Sequence, residues 1–202
     1  KSSLSFDGLY GLLGSLFDQA EDPRGSGCSY TMSNLVLTGF AIYSLKNSSL
    51  MQFEKRTPSE SENLKSIYGI EAFCSANCLR QGLDEVSPDE LQRGFVRLMR
   101  ELEEKKVLRN YLFRSKHYLI SIDGVEFFCS KQVHCPNCLV RVLSNGEVEY
   151  YHQMLVAVLI HPDQREVYPV GCEPIIQQDG QKKNDCERNA AKRLLARLDQ
   201  SY

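Results

Sequence analysis

The residues best suited to chemistry in this sequence are two cysteines and a histidine. Cys135-Pro-Asn-Cys138 presents two thiols from one tight turn, which is the arrangement that a tetrahedral zinc site uses. His152 lies on the next β-rich segment of the chain. The spacing predicts a zinc site formed by Cys135, Cys138 and His152. The competing interpretation is a pair of unrelated thiols beside a histidine that serves only in packing.

A predicted hairpin decides whether the three ligands can meet. Asn145-Gly146 separates two β-rich segments, and this dipeptide is a strong hairpin signal. A two-residue loop sets His152 diagonal to Cys138, whereas a three-residue loop sets the two residues directly opposite. Either geometry allows a site with two cysteines and one histidine. His134 or Cys129 is the candidate for the fourth ligand, and the sequence leaves that choice open.

A carboxylate forms the second candidate site. Asp123 interrupts the apolar segment 118–128 and is followed by Gly124. A charged group is costly to bury in a central strand unless it is paired or binds a metal. Asp123 is therefore a candidate ligand for a divalent cation in phosphoryl-transfer chemistry. The alternative is an ordinary aspartate before a turn glycine.

The elements that must position these residues change character along the chain. Helical periodicity and capping signals predict helices over 1–20, from the N-cap Ser33, over 49–56, from Ser75 to Leu83, from Ser87-Pro88 to Lys105-Lys106, and from Asn184 to Leu198. Alternating and continuous apolar segments predict strands near 117–128, 139–143, 148–160 and 165–170. The continuous run Met154–Ile160 predicts a strand covered on both faces.

These predictions together define an α+β protein with two domains. The period changes from helical to strand-like near Ser115, which places a domain boundary there, between a helical domain over residues 1–115 and a β-rich domain over residues 116–202. Near the final helix, Asn184 and Glu187 form a close variant of a capping box, and Asp185 suits the helix dipole. A purely structural role explains these last acidic residues.

Composition limits the classes of function. The chain has 202 residues, of which 42% are hydrophobic and 25% charged, as in ordinary globular proteins. The net charge of −2 carries no bulk signature of nucleic-acid binding, so DNA would need a local patch. Eight dispersed cysteines without a leading apolar segment favour a cytosolic protein with free thiols. No apolar run approaches the ~20 residues that cross a bilayer.

A succession of short motifs runs through the β-rich domain: Ile122-Asp-Gly124, Phe127-Phe128, His134-Cys-Pro-Asn-Cys138, Tyr150-Tyr-His-Gln153, Glu173-Pro-Ile175, Gln178-Asp-Gly180 and Lys183-Asn-Asp-Cys-Glu-Arg-Asn-Ala-Ala-Lys-Arg-Leu194. This succession resembles bacterial insertion-sequence transposases of the DDE, RNase H-like class. Asp22-Pro-Arg24 and the apolar helix after it resemble the helical region that precedes the catalytic domain in such proteins. The resemblance is strong over 116–198 and weaker over 1–115.

The resemblance implies the first half of an RNase H-like mixed sheet, with an inserted zinc-bearing hairpin. It makes Asp123 the first catalytic aspartate and a ligand of Mg²⁺ or Mn²⁺, with structural Zn²⁺ at Cys135, Cys138, His152 and His134. It implies transposon-end DNA as the partner, a helical domain used for DNA binding and assembly, a location in the bacterial cytosol or nucleoid and no membrane association. A homodimer remains open.

One departure from the family pattern bears on activity. The resemblance implies a second acid after the helix that ends near Leu198 and a third acid further on, and the sequence contains neither. The sequence thus indicates an N-terminal portion or a truncated element, so a non-catalytic zinc-stabilised module that binds DNA or a protein is the alternative function. A redox role for Cys135 and Cys138 is weaker, since the thioredoxin-like βαβ context is missing.

Overall fold

A computed structural model describes residues 4–19, 22–176 and 186–201. The described residues contain six α-helices, one short 3-10 helix over Val107–Tyr111, and five strands. The helices are α1 Phe6–Asp18, α2 Met32–Ser44, α3 Leu50–Tyr68, α4 Ala76–Asp84, α5 Pro88–Glu104 and α6 Glu187–Ser201; the strands are β1 Leu112–Phe113, β2 His117–Ser130, β3 Leu139–Val142, β4 Val148–Ile160 and β5 Tyr168–Ile175. The prediction of an α+β protein is confirmed.

The chain divides into two compact units at Gly94, inside α5, whereas the sequence places the boundary near Ser115. The change from helix to strand does occur after the 3-10 helix. Met99, on the later turns of α5, is buried in the same core as the strands, and this explains why the unit begins before the strands do. The part of α5 after Gly94 and the 3-10 helix therefore belong to the same compact unit as the strands and do not form a linker.

The first unit is a helical core with side-chain caps at its helix starts. Ser75 caps α4 as predicted, since its Oγ accepts from the Cys78 amide at 3.2 Å. The cap of α2 is Thr31 rather than Ser33, because the Thr31 hydroxyl accepts from the Asn34 amide at 3.1 Å. The largest buried cluster of this unit consists of Leu35, Ala41, Ile42, Phe53, Leu64, Tyr68, Ile70 and Leu79.

The third helix is longer than the predicted helix over 49–56. It continues through the polar segment 57–62 to Tyr68, with Pro58 inside it. Proline removes one backbone donor and disfavours a helix interior, but Phe53 and Leu64, on either side of it, are both buried. Burial of one face over the full length outweighs the local breaker signal. Within the described ranges, no helix combines the length and the apolar character needed to span a membrane.

The second unit is built on a sheet in which β4 is the central strand. Every pairing among the described strands is antiparallel, so these strands do not form the mixed sheet that the resemblance implies. β2 pairs with β4 along nearly its whole length, from Leu119↔Ile160 to Ser130↔Tyr150. The other edge of β4 is shared, since β3 pairs with its first residues and β5 with its later ones. The short β1 pairs with β2 only at residues 117 and 118. The last predicted strand segment, 165–170, corresponds to β5, which starts and ends later.

One face of this sheet is buried against α6. Leu155, Ala157 and Leu159 on β4 are buried, whereas the alternate residues Met154, Val156, Val158 and Ile160 are only partly buried. The prediction that this segment is covered on both faces is wrong, because α6 packs on one side of an antiparallel sheet. The core on that side consists of Met99, Leu108, Tyr111, Leu139, Leu155, Ala157, Leu159, Val170, Ile175, Ala190 and Leu194.

Candidate metal-binding hairpin

Cys135, Cys138 and His152 form a compact group of potential metal ligands. Their donor atoms all lie within 4.8 Å of one another. His152 Nε2 is 3.3 Å from the Sγ atoms of both cysteines, and the two Sγ atoms are 3.7 Å apart. Cys138 is buried, His152 is partly buried and Cys135 is exposed. The sequence predicted these three residues as ligands, and the structure brings them together.

The loop between β3 and β4 explains how the ligands meet. Leu143 and Glu147 are joined by a backbone hydrogen bond of 2.8 Å, which leaves a three-residue loop whose last residue, Gly146, has a φ of 82°. A left-handed residue in this place is typical of three-residue hairpins. The resulting register pairs Leu139 with Tyr151 and so sets Cys138 opposite His152. The three-residue alternative in the sequence interpretation is therefore correct.

Backbone hydrogen bonds fix the turn that carries the two thiols. The Cys138 amide donates to the Cys135 carbonyl oxygen at 3.1 Å, and the Cys135 amide donates to the Cys138 Sγ at 3.2 Å. An amide aimed at a sulfur stabilises a thiolate. Burial acts in the opposite direction and raises the pKa of the Cys138 thiol. A bound cation would supply the charge that makes the buried thiolate favourable.

The two candidates for a fourth ligand lie outside this group. The His134 ring stacks on Tyr150 with centroids 4.3 Å apart, and its Nδ1 is 3.3 Å from the Gln132 carbonyl oxygen. Cys129 pairs with Tyr151, the residue directly before His152 on β4. Alternation of side chains along a strand sends Cys129 to the opposite face from His152. Neither residue completes the group in this structure.

The opposite face of the hairpin carries a charged cluster. Arg141 contacts Glu126 at 2.7 Å through Nη1 and Glu149 at 2.6 Å through Nε. Its guanidinium also lies over the Tyr151 ring at 4.6 Å. A hydrogen bond from Cys129, followed by the one from Arg141, lowers the pKa of Glu149. This cluster joins β2, β3 and β4 across the exposed end of the sheet.

Asp123 lies in the middle of β2 and is exposed. Its Oδ1 accepts a hydrogen bond from the Gly124 amide at 2.8 Å. The prediction of a central strand is wrong at this point, because within the described ranges β2 pairs only with β4 beyond residue 118. In the same described residues, no group of three potential metal ligands includes Asp123.

Asp123 and the three-ligand group share one face of the sheet. Asp123 pairs with Val156, and Val156 and His152 are four residues apart on β4, so their side chains point the same way. A register shift between Glu126 and Phe128 lets Phe128 oppose His152 on that face. At about 3.3 Å per residue, the carboxylate and the metal ligands are about 13 Å apart along the sheet.

The other side of Gly124 is covered by a contact that sequence reasoning missed. A Cβ placed on Gly124 would lie 2.6 Å from Glu187 Oε1 and 2.7 Å from Gln153 Nε2. These two side chains are hydrogen-bonded to each other at 2.6 Å. Glu187, at the start of α6, thus sits directly over the backbone beside Asp123. The capping partner proposed for it, Asn184, lies outside the described residues, as does Asp185.

A buried ion cluster anchors α6 to β5, and it also escaped the sequence analysis. Glu173 is 7% exposed. Its Oε1 accepts from Arg193 Nε at 2.6 Å, and its other oxygen contacts Arg197. The signal that could have found it was a glutamate within an apolar strand together with arginines four residues apart on the final helix. The cluster explains why the helix lies along the sheet.

Comparisons of the chain with models of known protein families, with curated proteins and with solved structures find no match. The class that fold and site define is an α+β protein with a group of three potential metal ligands on a β-hairpin. A function must be inferred from this geometry and from the motifs.

Proposed function

We propose that the chain belongs to a DNA transposase of the DDE, RNase H-like class, with Asp123 as a ligand of a catalytic Mg²⁺ or Mn²⁺ ion. The observation that carries the proposal is the shared sheet face, on which the exposed carboxylate of Asp123 and the metal-binding hairpin point in the same direction. The proposal is also supported by the succession of motifs from Ile122 to Leu194, which resembles this class of transposases.

In two-metal chemistry Asp123 would be one of several carboxylate ligands of the catalytic ions. Strand cleavage by two metal ions uses several carboxylates, since Mg²⁺ prefers oxygen ligands and the ions must stabilise attacking and leaving oxygens. Asp123 is accessible, and Gly124 carries no side chain that would crowd it. In this proposal the chain contributes Asp123 as one of these carboxylate ligands.

The ion that best fits Cys135, Cys138 and His152 is zinc, which would join the turn of the two cysteines to β4. Zinc bonds of about 2.3 Å to sulfur and about 2.0 Å to nitrogen give tetrahedral edges of about 3.8 Å between sulfurs and about 3.5 Å between sulfur and nitrogen. The corresponding distances here are 3.7 Å and 3.3 Å. Two thiolates and a neutral imidazole also balance the charge of Zn²⁺.

A second function is favoured by one observation. In the described residues, the three-ligand group is on the hairpin and none surrounds Asp123. That pattern suits a non-catalytic module, stabilised by zinc, that binds DNA or a protein. In this case the hairpin and the exposed residues near it, such as Phe127, would form the contact surface.

Cleavage of labelled DNA with Mg²⁺ or Mn²⁺ separates the two functions. Three proteins are compared: the wild type, Asp123→Asn and Asp163→Asn, the last being an exposed aspartate in the turn after β4. Transposase chemistry predicts that Asp123→Asn lowers the cleavage rate by at least about 100-fold, because a metal ligand is lost, and that Asp163→Asn does not. Equal rates in all three proteins would rule out catalysis through Asp123, and binding of the DNA without cleavage would favour the module.

A further inference from the structure

We propose that the metal ion on the hairpin keeps one coordination position open and binds an external thiolate there. This inference rests on the proposed zinc site. Cys135, Cys138 and His152 supply three donors, and in the described residues no fourth histidine, cysteine or carboxylate donor lies within 4.8 Å of all three. Structural zinc sites are closed by four protein ligands, whereas three protein ligands leave a position for an exchangeable ligand.

The first candidate for closing the site is held elsewhere by two contacts. The ring of His134 is stacked on Tyr150, with an angle of 17° between the ring planes. Its Nδ1 lies 3.3 Å from the Gln132 carbonyl oxygen, within hydrogen-bonding distance. As the neighbour of Cys135, His134 would have to leave both contacts and strain a short chain segment in order to bind the same ion.

The second candidate is separated from the ion by the sheet itself. Cys129 pairs with Tyr151, and its Sγ accepts from Arg141 Nη2 at 3.6 Å on the face opposite His152. Burial, together with a hydrogen bond to Glu149, raises the pKa of this thiol. Moving Cys129 to the other face would require a one-residue slip of β2 against β4. The register therefore excludes Cys129 as a ligand.

The side chains around His152 favour a sulfur ligand. Phe127 stacks on the His152 ring with centroids 5.8 Å apart, and Phe128 lies at 5.6 Å. Phe127 is 56% exposed, and Cys135 is exposed as well. Sulfur near an aromatic ring is favourable, whereas a carboxylate or phosphate would need hydrogen-bond donors beside it. A zinc ion with thiolate ligands also prefers soft donors.

The test uses the Co²⁺-substituted protein, because tetrahedral Co²⁺ reports its ligands in its absorption spectrum. Ethanethiol is the probe, and acetate is the oxygen-donor comparison. Saturable binding of ethanethiol is expected to raise the sulfur-to-cobalt charge-transfer band by about half, since three thiolates replace two, and acetate is expected to leave the spectrum unchanged. A cobalt spectrum that neither probe alters would overturn the open coordination position but not the metal site itself. An equal response to acetate would overturn the thiolate assignment, and the absence of cobalt bands would remove the metal site and this inference together.

Two variants separate the open position from its alternatives. His134→Ala is expected to keep both the cobalt spectrum and the ethanethiol affinity; a new response to ethanethiol that the wild type lacks would identify His134 as the closing ligand. Phe127→Ala is expected to weaken ethanethiol binding by about 2- to 10-fold through loss of the sulfur–aromatic contact. Val142→Ala, which truncates another exposed apolar residue of the hairpin, is the matched control.

Discussion

Replacement of Cys138 by serine tests whether a metal ion stabilises the hairpin. Cys138 is 3% exposed and is the buried member of the three-ligand group. A ligand that binds only the folded state adds RT ln(1 + [L]/Kd) to the free energy of unfolding, which is about 4 kcal/mol at free zinc roughly 1,000 times above Kd. Cys138→Ser should remove most of this increment, because serine is a poor zinc ligand.

The same substitution has a small effect when no metal is present. The serine hydroxyl can still accept from the Cys135 amide, which donates to the Cys138 sulfur at 3.2 Å in the wild type. We therefore expect a loss of about 1 kcal/mol in a chelator. The difference between the zinc and chelator measurements isolates the contribution of the metal.

The free energy of unfolding is measured by urea denaturation, once in buffered zinc and once in chelator. Unfolding is followed through the NMR signals of backbone amides in β2 and β4. Cys129→Ser is the matched control, since Cys129 is an exposed cysteine on the neighbouring strand β2 and lies on the opposite face of the sheet. It should change the free energy of unfolding by no more than about 0.5 kcal/mol in either condition. A wild-type stability that is independent of zinc, or equal losses in the two variants, would refute the metal site.

Three further predictions concern residues outside the three-ligand group of Cys135, Cys138 and His152. Glu173→Gln should lower the free energy of unfolding by about 2–3 kcal/mol in urea, because it removes the buried negative charge that contacts both Arg193 and Arg197; a loss below about 1 kcal/mol would contradict this. Gly124→Ala should cost about 1 kcal/mol in the wild type, because its Cβ would break the hydrogen bond between Gln153 and Glu187. The cost should be smaller in a Glu187→Ala background, where Gln153 no longer has this hydrogen bond to lose, so equal costs in both would contradict the contact. The pKa of Glu149 is lowered in the folded state, so its carboxylate contributes to stability at pH values above the unfolded pKa, near 4.5. This contribution is lost as the pH falls through the folded pKa. Acid titration should show this loss in the wild type and not in Glu149→Gln.

The three-ligand group could be predicted because its signals lie close together in the sequence. The two thiols come from one turn, and Asn145-Gly146 marks the hairpin that returns His152 to them. Both features depend on residues close in sequence, so no knowledge of the remaining fold is required. The loop length was left open, since two- and three-residue loops share the same signal, and the backbone hydrogen bond between Leu143 and Glu147 resolves it.

Long-range packing accounts for the predictions that were wrong. A continuous apolar run such as Met154–Ile160 is the same whether helices cover one face of a strand or both. The polar segment with Pro58 signals a break, yet burial of residues on either side keeps the helix continuous. In the helix, tertiary contacts override a local preference against proline of about 3 kcal/mol.

The sequence by itself determined the α+β class, the hairpin, the three potential metal ligands and the motifs on which the proposed function rests. Only the tertiary structure decided that Asp123 and the metal group share a face, that His134 and Cys129 lie outside the group, and that Glu187 covers Gly124. For Asp123 and Cys129 the physical reason is the register of β2 against β4 and its shift after Glu126, whereas side-chain contacts decide the other two points. A one-residue change in that pairing sends every side chain to the other face, and no local signal specifies it.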